Sequence, residues 1–143
     1  MDKPMFIETS SFLDDRGVLR FANSFDLKKF GIRRFYIVSN HKQGYVRAFH
    51  GHKKETKYLL VIKGSIMVKT IPLNATNGSL DTYFVDAGEI LCIPRGYYHG
   101  FKDLMADTII FVFSDKTLEE SKNDDYRLPY DNFGKYVWED NYR

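Results

Sequence analysis

The chain has 143 residues, 21 basic and 19 acidic, with a hydrophobic fraction of 43%. That supports one packed core rather than a disordered chain, and the near-balance of charge argues against a nucleic-acid-binding surface. A lone cysteine, Cys92, excludes an intrachain disulfide framework; no signal-peptide pattern opens the chain and no apolar run nears the ~20 residues of a membrane span, so a cytoplasmic protein without nucleic-acid or membrane partners is expected.

Short runs of β-branched and aromatic residues follow one another, punctuated by Gly, Asp, Asn and Pro. They predict strands over 18–21, 34–38, 45–49, 57–62, 65–71, 81–85, 89–93, 100–103 and 108–114. Between the first two, residues 26–30 fit one helical turn ended by Gly31. Residues 65–71 alternate polar and apolar, the pattern of a half-buried strand, and 74–78 read as a turn. Cys92 lies in an apolar run and reads as a buried structural thiol. Residues 117–125 are charged and suit a short helix or a loop. The tail from 126 onward is polar and aromatic, with Tyr126, Tyr130, Phe133, Tyr136 and Trp138. It is either a cover laid on the body of the protein or a lid that lends a side chain to a pocket. Many short, evenly spaced strands predict one all-β domain over 1–143, with a barrel or sandwich core over about 16–114 and a C-terminal tail over 115–143.

The four histidines are His41, His50, His52 and His99. His50 and His52 are two apart on a predicted strand, so both side chains share one face. Two strings enclose three of these rings: Gly44, His50, His52, Lys57, Gly64, and then Gly88, Pro94, Gly96, His99, Asp103. They resemble the two cupin motifs, G-x5-H-x-H-x3,4-E-x6-G and G-x5-P-x-G-x2-H-x3-N. The resemblance implies a cupin jelly-roll β-barrel with the three imidazoles facing its interior. Lys57 stands where a metal-binding cupin has its Glu. An ammonium has no lone pair and repels a divalent ion. No metal and no other cofactor is therefore expected, and three imidazoles beside a cation suit an anionic or carbonyl-bearing substrate. Glu55 shares a predicted strand face with Lys57 but is out of register with the motif.

A narrower resemblance covers most of the chain. Asp14-Asp15-Arg16-Gly17, Val38-Ser39-Asn40-His41, Tyr45-Val46-Arg47-Ala48-Phe49-His50, Thr56-Lys57 through Gly64, and Ile93-Pro94-Arg95-Gly96-Tyr97-Tyr98-His99-Gly100-Phe101 are similar to segments of the dTDP-4-dehydrorhamnose 3,5-epimerases. Leu128-Pro129-Tyr130-Asp131-Asn132 with Trp138 is similar to their closing segment. The resemblance implies an epimerase of a nucleotide-linked 4-keto-6-deoxy sugar, dTDP-linked and serving surface-polysaccharide synthesis, and a homodimer that exchanges its N-terminal strand. His50 would be the base that removes the proton alpha to the keto group, oriented by Asp131. Lys57 would stabilise the enolate, and Arg16 and Arg47 would hold the diphosphate. Asn40 and His99 would bind substrate, and Phe21 would stack on the base or sugar.

Two departures keep other readings open. At the position of the epimerases' acid Tyr this chain has Lys116. The paired His50 and His52, with Ile32 through Ile37 and Arg47 through Lys53, resemble instead the sugar 3,4-ketoisomerases, in which such a pair moves protons between carbons 3 and 4. A sugar-binding cupin without turnover and a metal-dependent cupin enzyme are readings of other classes.

Overall fold

The computed structural model describes residues 2–75 and 78–140. Its twelve strands are β1 (Met5–Ile7), β2 (Ser10–Asp14), β3 (Gly17–Phe21), β4 (Arg34–Ser39), β5 (Val46–His52), β6 (Lys57–Lys63), β7 (Ser65–Pro72), β8 (Asp81–Asp86), β9 (Ile90–Ile93), β10 (Tyr97–Asp103), β11 (Ile109–Ser114) and β12 (Tyr126–Arg127). One short helix, α1 (Leu118–Lys122), and a 3-10 turn at Lys135–Trp138 complete the elements. Every predicted strand is present; β1, β2 and β12 are additions, and β10 begins earlier than expected. The turn over 26–30 forms with Phe30 N–H donating to the Asp26 carbonyl, and Gly31 closes it at φ +67°. Of the turn expected over 74–78, residues 76 and 77 lie outside the described residues.

The strands form two five-stranded antiparallel sheets, β1-β9-β6-β11-β4 and β12-β5-β10-β7-β8. Their facing residues, among them Leu59, Val61, Ile66, Val68, Leu91, Phe101, Ile110 and Val112, make the core. This is the cupin jelly roll. Among the described residues the hairpin β2-β3 pairs only with itself.

β7 differs from the half-buried strand its alternation predicts. Ile66, Val68 and Thr70 face the core, yet Met67 and Ile71 on the other face are buried too. The C-terminal tail covers that outer face. Trp138 packs on Phe49 at 5.5 Å between ring centroids, Phe133 meets Phe49 edge-on at 5.2 Å, and Met67 joins the cluster. Trp138 Nε1–H donates to the Tyr130 carbonyl, so the indole is buried without an orphaned donor. The tail is thus a cover over the second sheet. Cys92 is buried, and desolvation pushes its thiol up to about 12. Among the described residues no helix is long and apolar enough to cross a membrane.

Candidate active site

The site begins with a local irregularity in β5. His50 pairs with His99 of β10, but Arg47 pairs with Phe101, so β5 carries one extra residue across this stretch. Such a bulge re-aims side chains. Arg47 and His50, three apart, both line the same cavity, and His52 joins them by ordinary alternation. Gly100 makes the bulge possible. A Cβ there would strike the Ala48 side chain and lie 3.0 Å from the Arg47 carbonyl oxygen.

The cavity lies between the sheets and has a volume of about 490 Å³. One wall carries Arg47, His50, His52 and His99; the facing wall carries Arg34, Tyr36, Lys57 and Leu59. His99 sits 6.3 Å from His50 and 6.1 Å from His52, ring centre to ring centre. The mouth is closed on one side by α1, β12 and the turn between them, which bring in Ser121, Lys122, Asp125 and Arg127. Two carboxylate-based devices fix this strap. Thr117 caps α1 in a reciprocal capping box with Glu120. Asp124 accepts the backbone N–H groups of Lys53, Lys54 and Glu55 at 2.8, 2.9 and 3.1 Å. Burial opposes its charge, but these three donors outweigh it and hold the carboxyl below the usual range.

Burial, then the positive charges of Lys57 and Arg127, lower the pKa of His50. It is a neutral imidazole at neutral pH, the form a base requires. Burial holds His99 far below its ordinary value, with Lys57 adding to it. His52 Nδ1 lies 2.6 Å from the Asp124 carbonyl oxygen. A carbonyl can only accept, so Nδ1 carries a proton, and in the neutral ring Nε2 keeps the lone pair. That Nε2 is buried with no hydrogen-bond partner among the described residues, as is Nδ1 of His99. Asp103 anchors another line of contacts. Asn40 Nδ2 donates to it at 2.9 Å, and Arg47 Nε donates to Asn40 Oδ1 at 2.6 Å. Burial raises the Asp103 pKa despite these neighbours.

Among the described residues, five basic side chains, Arg34, Arg47, Lys57, Lys122 and Arg127, line the cavity against one carboxylate, Asp125. The field therefore favours an anion. The donor set does not suit a divalent cation. An ammonium occupies the fourth position, and among the described residues no three His, Cys, Asp or Glu side chains gather as ligands.

His50, His52, His99, Lys57 and Arg47 thus come together, with Asn40 one hydrogen bond behind. Three predicted residues do not. Asp131 is exposed in the tail, on the far side of the sheet, because burial of Phe133 and Trp138 carries that segment outside. Arg16 is exposed at the tip of β2-β3 and, among the described residues, bonds only Asp14. Phe21 lines a separate apolar pocket with Phe25, Leu60 and Phe113 on the outer face of the first sheet. Glu55 is off the strand, in the turn before β6, and is buried behind the cavity wall. Arg34, Tyr36, Asp125 and Arg127 escaped sequence reasoning. The alternation of β4 contains the signal for the first pair, since Arg34, Tyr36 and Val38 are its inner face.

The family model described as FdtA: WxcM-like, C-terminal matches residues 2–138. The chain belongs to this family. Among relatives of the WxcM-like chain, a TDP-4-oxo-6-deoxy-alpha-D-glucose-3,4-oxoisomerase of Aneurinibacillus thermoaerophilus is 29% identical over 132 residues, 92% of this chain and 90% of the relative. Its fold is that of a Bacillus anthracis dTDP-4-dehydrorhamnose 3,5-epimerase with TDP and PPi bound, at TM-score 0.73, 23% identity, and coverage of 89% and 79% of the two chains. A 3,4-ketoisomerase from Helicobacter canadensis superposes at TM-score 0.71 and 20% identity, covering 96% and 98%. The relatives so named are isomerases and epimerases, and the WxcM-like chain is an enzyme of that isomerase group.

Proposed function

We propose that the protein is a metal-independent 3,4-ketoisomerase of a dTDP-linked 4-keto-6-deoxy sugar. The observation that carries this reading is the pair His50 and His52 on one wall, with burial favouring the neutral form of His50 and Nε2 of His52 left without a hydrogen-bond partner among the described residues. Moving a keto group from C4 to C3 needs two proton transfers on one side of the sugar. His50 takes the C3 proton; the C3–H pair becomes the C3=C4 bond and the carbonyl pair moves to O4. Lys57 stabilises that enediolate. His52 accepts the O3 hydroxyl proton and returns it to O4, which leaves the negative charge on O3. The O3 pair then forms C3=O as the C3=C4 pair takes the proton from His50 at C4. Atoms and charge balance without any outside reactant.

The leading expectation from sequence, epimerisation at C4's neighbours, needs an acid on the opposite face. Lys116 does not line the cavity and pairs with Asp115 at 3.4 Å. Tyr36 is the observation that favours this second reading, because its phenol reaches the cavity from the facing sheet. The cluster of five basic groups supports a diphosphate-linked substrate, and the Aneurinibacillus relative is named for a TDP-linked sugar. Nucleotide sugars of this kind support a cytoplasmic setting and a place in surface-polysaccharide synthesis.

The assembly we propose is a homodimer. Phe12, Leu13, Val18 and Leu19 of the free hairpin are 57, 76, 47 and 62% exposed. Each large apolar side chain left in water forgoes about 1.5–3 kcal/mol, so a second copy covering them gains several. A partner's hairpin laid against the cavity would also deliver its Arg16 to the diphosphate, which the chain's own Arg16 does not approach.

A panel of nucleotide-linked 4-keto sugars followed by NMR tests the reading. A 3-keto product from the dTDP-linked 4-keto-6-deoxy sugar is expected, and Tyr36→Phe should leave it intact. A 4-keto product inverted at C3 or C5, lost in Tyr36→Phe, would instead establish the epimerase.

A further inference from the structure

Glu55 carries the most deeply buried charge in the described structure, and none of the chemistry above uses it. It is 1% exposed, in the turn between β5 and β6, behind the cavity wall rather than in it. A buried carboxylate persists only when its oxygens are fully bonded. Oε1 accepts from Ser114 Oγ at 2.8 Å and from Arg34 at 3.3 Å; Oε2 accepts from Ser121 Oγ at 2.6 Å. Lys57 Nζ lies 4.0 Å from Oε1, and His52 Nδ1 lies 3.5 Å from Oε2. These partners come from β11, β4, α1, β6 and β5. One side chain therefore bonds or faces groups from five of the elements that build the cavity.

The arrangement solves two problems. Arg34 and Lys57 both lie against the Tyr36 ring, at 5.3 and 5.6 Å from its centre. Two half-desolvated cations sharing one ring repel each other unless an anion sits between them. Glu55 is that anion. It also grips the strap through Ser121, while Asp124 of the strap grips the backbone of the Glu55 turn in return. His52 is oriented by the same strap through the Asp124 carbonyl.

We propose that Glu55 is a positioning residue: it fixes the Lys57 ammonium where the enediolate charge develops and locks the strap that sets the His52 tautomer. The part concerning Lys57 rests on the ketoisomerase reading; the part concerning the strap does not.

Glu55→Gln keeps the shape and one acceptor but removes the charge. We expect kcat to fall about tenfold or more while KM stays within about twofold, because the lost field matters only as charge develops. Glu55→Asp, which restores the charge, should be more active than Glu55→Gln. In the substrate-free protein, 15N spectra should show His52 as a single Nδ1–H tautomer in the wild type and as a mixture in Glu55→Gln. Wild-type kcat with an unchanged His52 spectrum would overturn the proposal, as would a Glu55→Asp variant no better than Glu55→Gln. If Glu55→Gln does not fold, Ser121→Ala removes the strap's donor and keeps the charge. It should give the same spectral mixing with a smaller loss of kcat; a wild-type spectrum and kcat in that variant would also overturn it. The spectra need no substrate. If the wild type turns over no keto sugar, the functional reading fails while the spectra still decide the role of Glu55.

Discussion

His50 is the group on which the proposed proton transfers turn, and its setting fixes how they respond to pH. Burial and the neighbouring Lys57 and Arg127 charges lower its pKa from 6.5. The acid limb of kcat/KM should therefore lie below 6.5, with a flat profile through neutrality. Removing Lys57 takes away a charge that disfavours the imidazolium, so Lys57→Met should move that limb upward. The same variant should lower kcat by roughly 10²–10³. An ion pair at 4 Å in a medium of effective dielectric 20 is worth about 4 kcal/mol, and part of that is recovered by water. Steady-state rates against pH in the two proteins check both claims. His99 offers a stability test. Its folded pKa lies well below the unfolded 6.5, so as pH falls through 6.5 the unfolded chain binds a proton that the folded one refuses. That contribution is complete above 6.5 and is lost on acidification. Denaturant midpoints from pH 7 to 5 should fall more steeply for the wild type than for His99→Asn.

At the scale of elements, the β5 bulge and the strap do the positioning. Gly100→Ala forces a methyl group into Ala48 and the Arg47 carbonyl. It should cost about 1–3 kcal/mol in chemical denaturation and raise KM through Arg47. What the sequence made legible follows the same division. The spacing of His50 and His52, the Pro94-x-Gly96 turn before His99 and the place of Lys57 are local patterns, and all four side chains meet as expected. Arg34 and Tyr36 depend on β4 pairing with β11, and Arg127 on β12 pairing with the edge of β5 opposite His50. Those registers join residues far apart in the chain; the alternation of β4 marks Arg34 and Tyr36 as one face but not as a cavity wall, and Arg127 has no local mark. Asp131 shows the reverse error. A local match assigned it to the site, but the apolar contacts of Phe133 and Trp138 decide where the tail lies.

For the molecule as a whole, the cavity of one copy has basic groups for a diphosphate but not Arg16, and the hairpin bearing Arg16 pairs with neither sheet. The proposed dimer would reconcile the two. Leu13→Asp with Leu19→Asp should shift sedimentation to the monomer and weaken TDP binding together; a tight-binding monomer would refute the exchanged hairpin. The central claim is that two histidines on one wall move a keto group. Its most direct test is conversion of dTDP-4-keto-6-deoxyglucose in heavy water with the label located by NMR. The account predicts a 3-keto product whose C4 carries the hydrogen returned by His50, either the one taken from C3 or deuterium exchanged onto the imidazole, with C5 unlabelled and no conversion in His50→Ala. Deuterium at C5, label incorporated with no 3-keto product formed, or conversion at the wild-type rate in His50→Ala would contradict it.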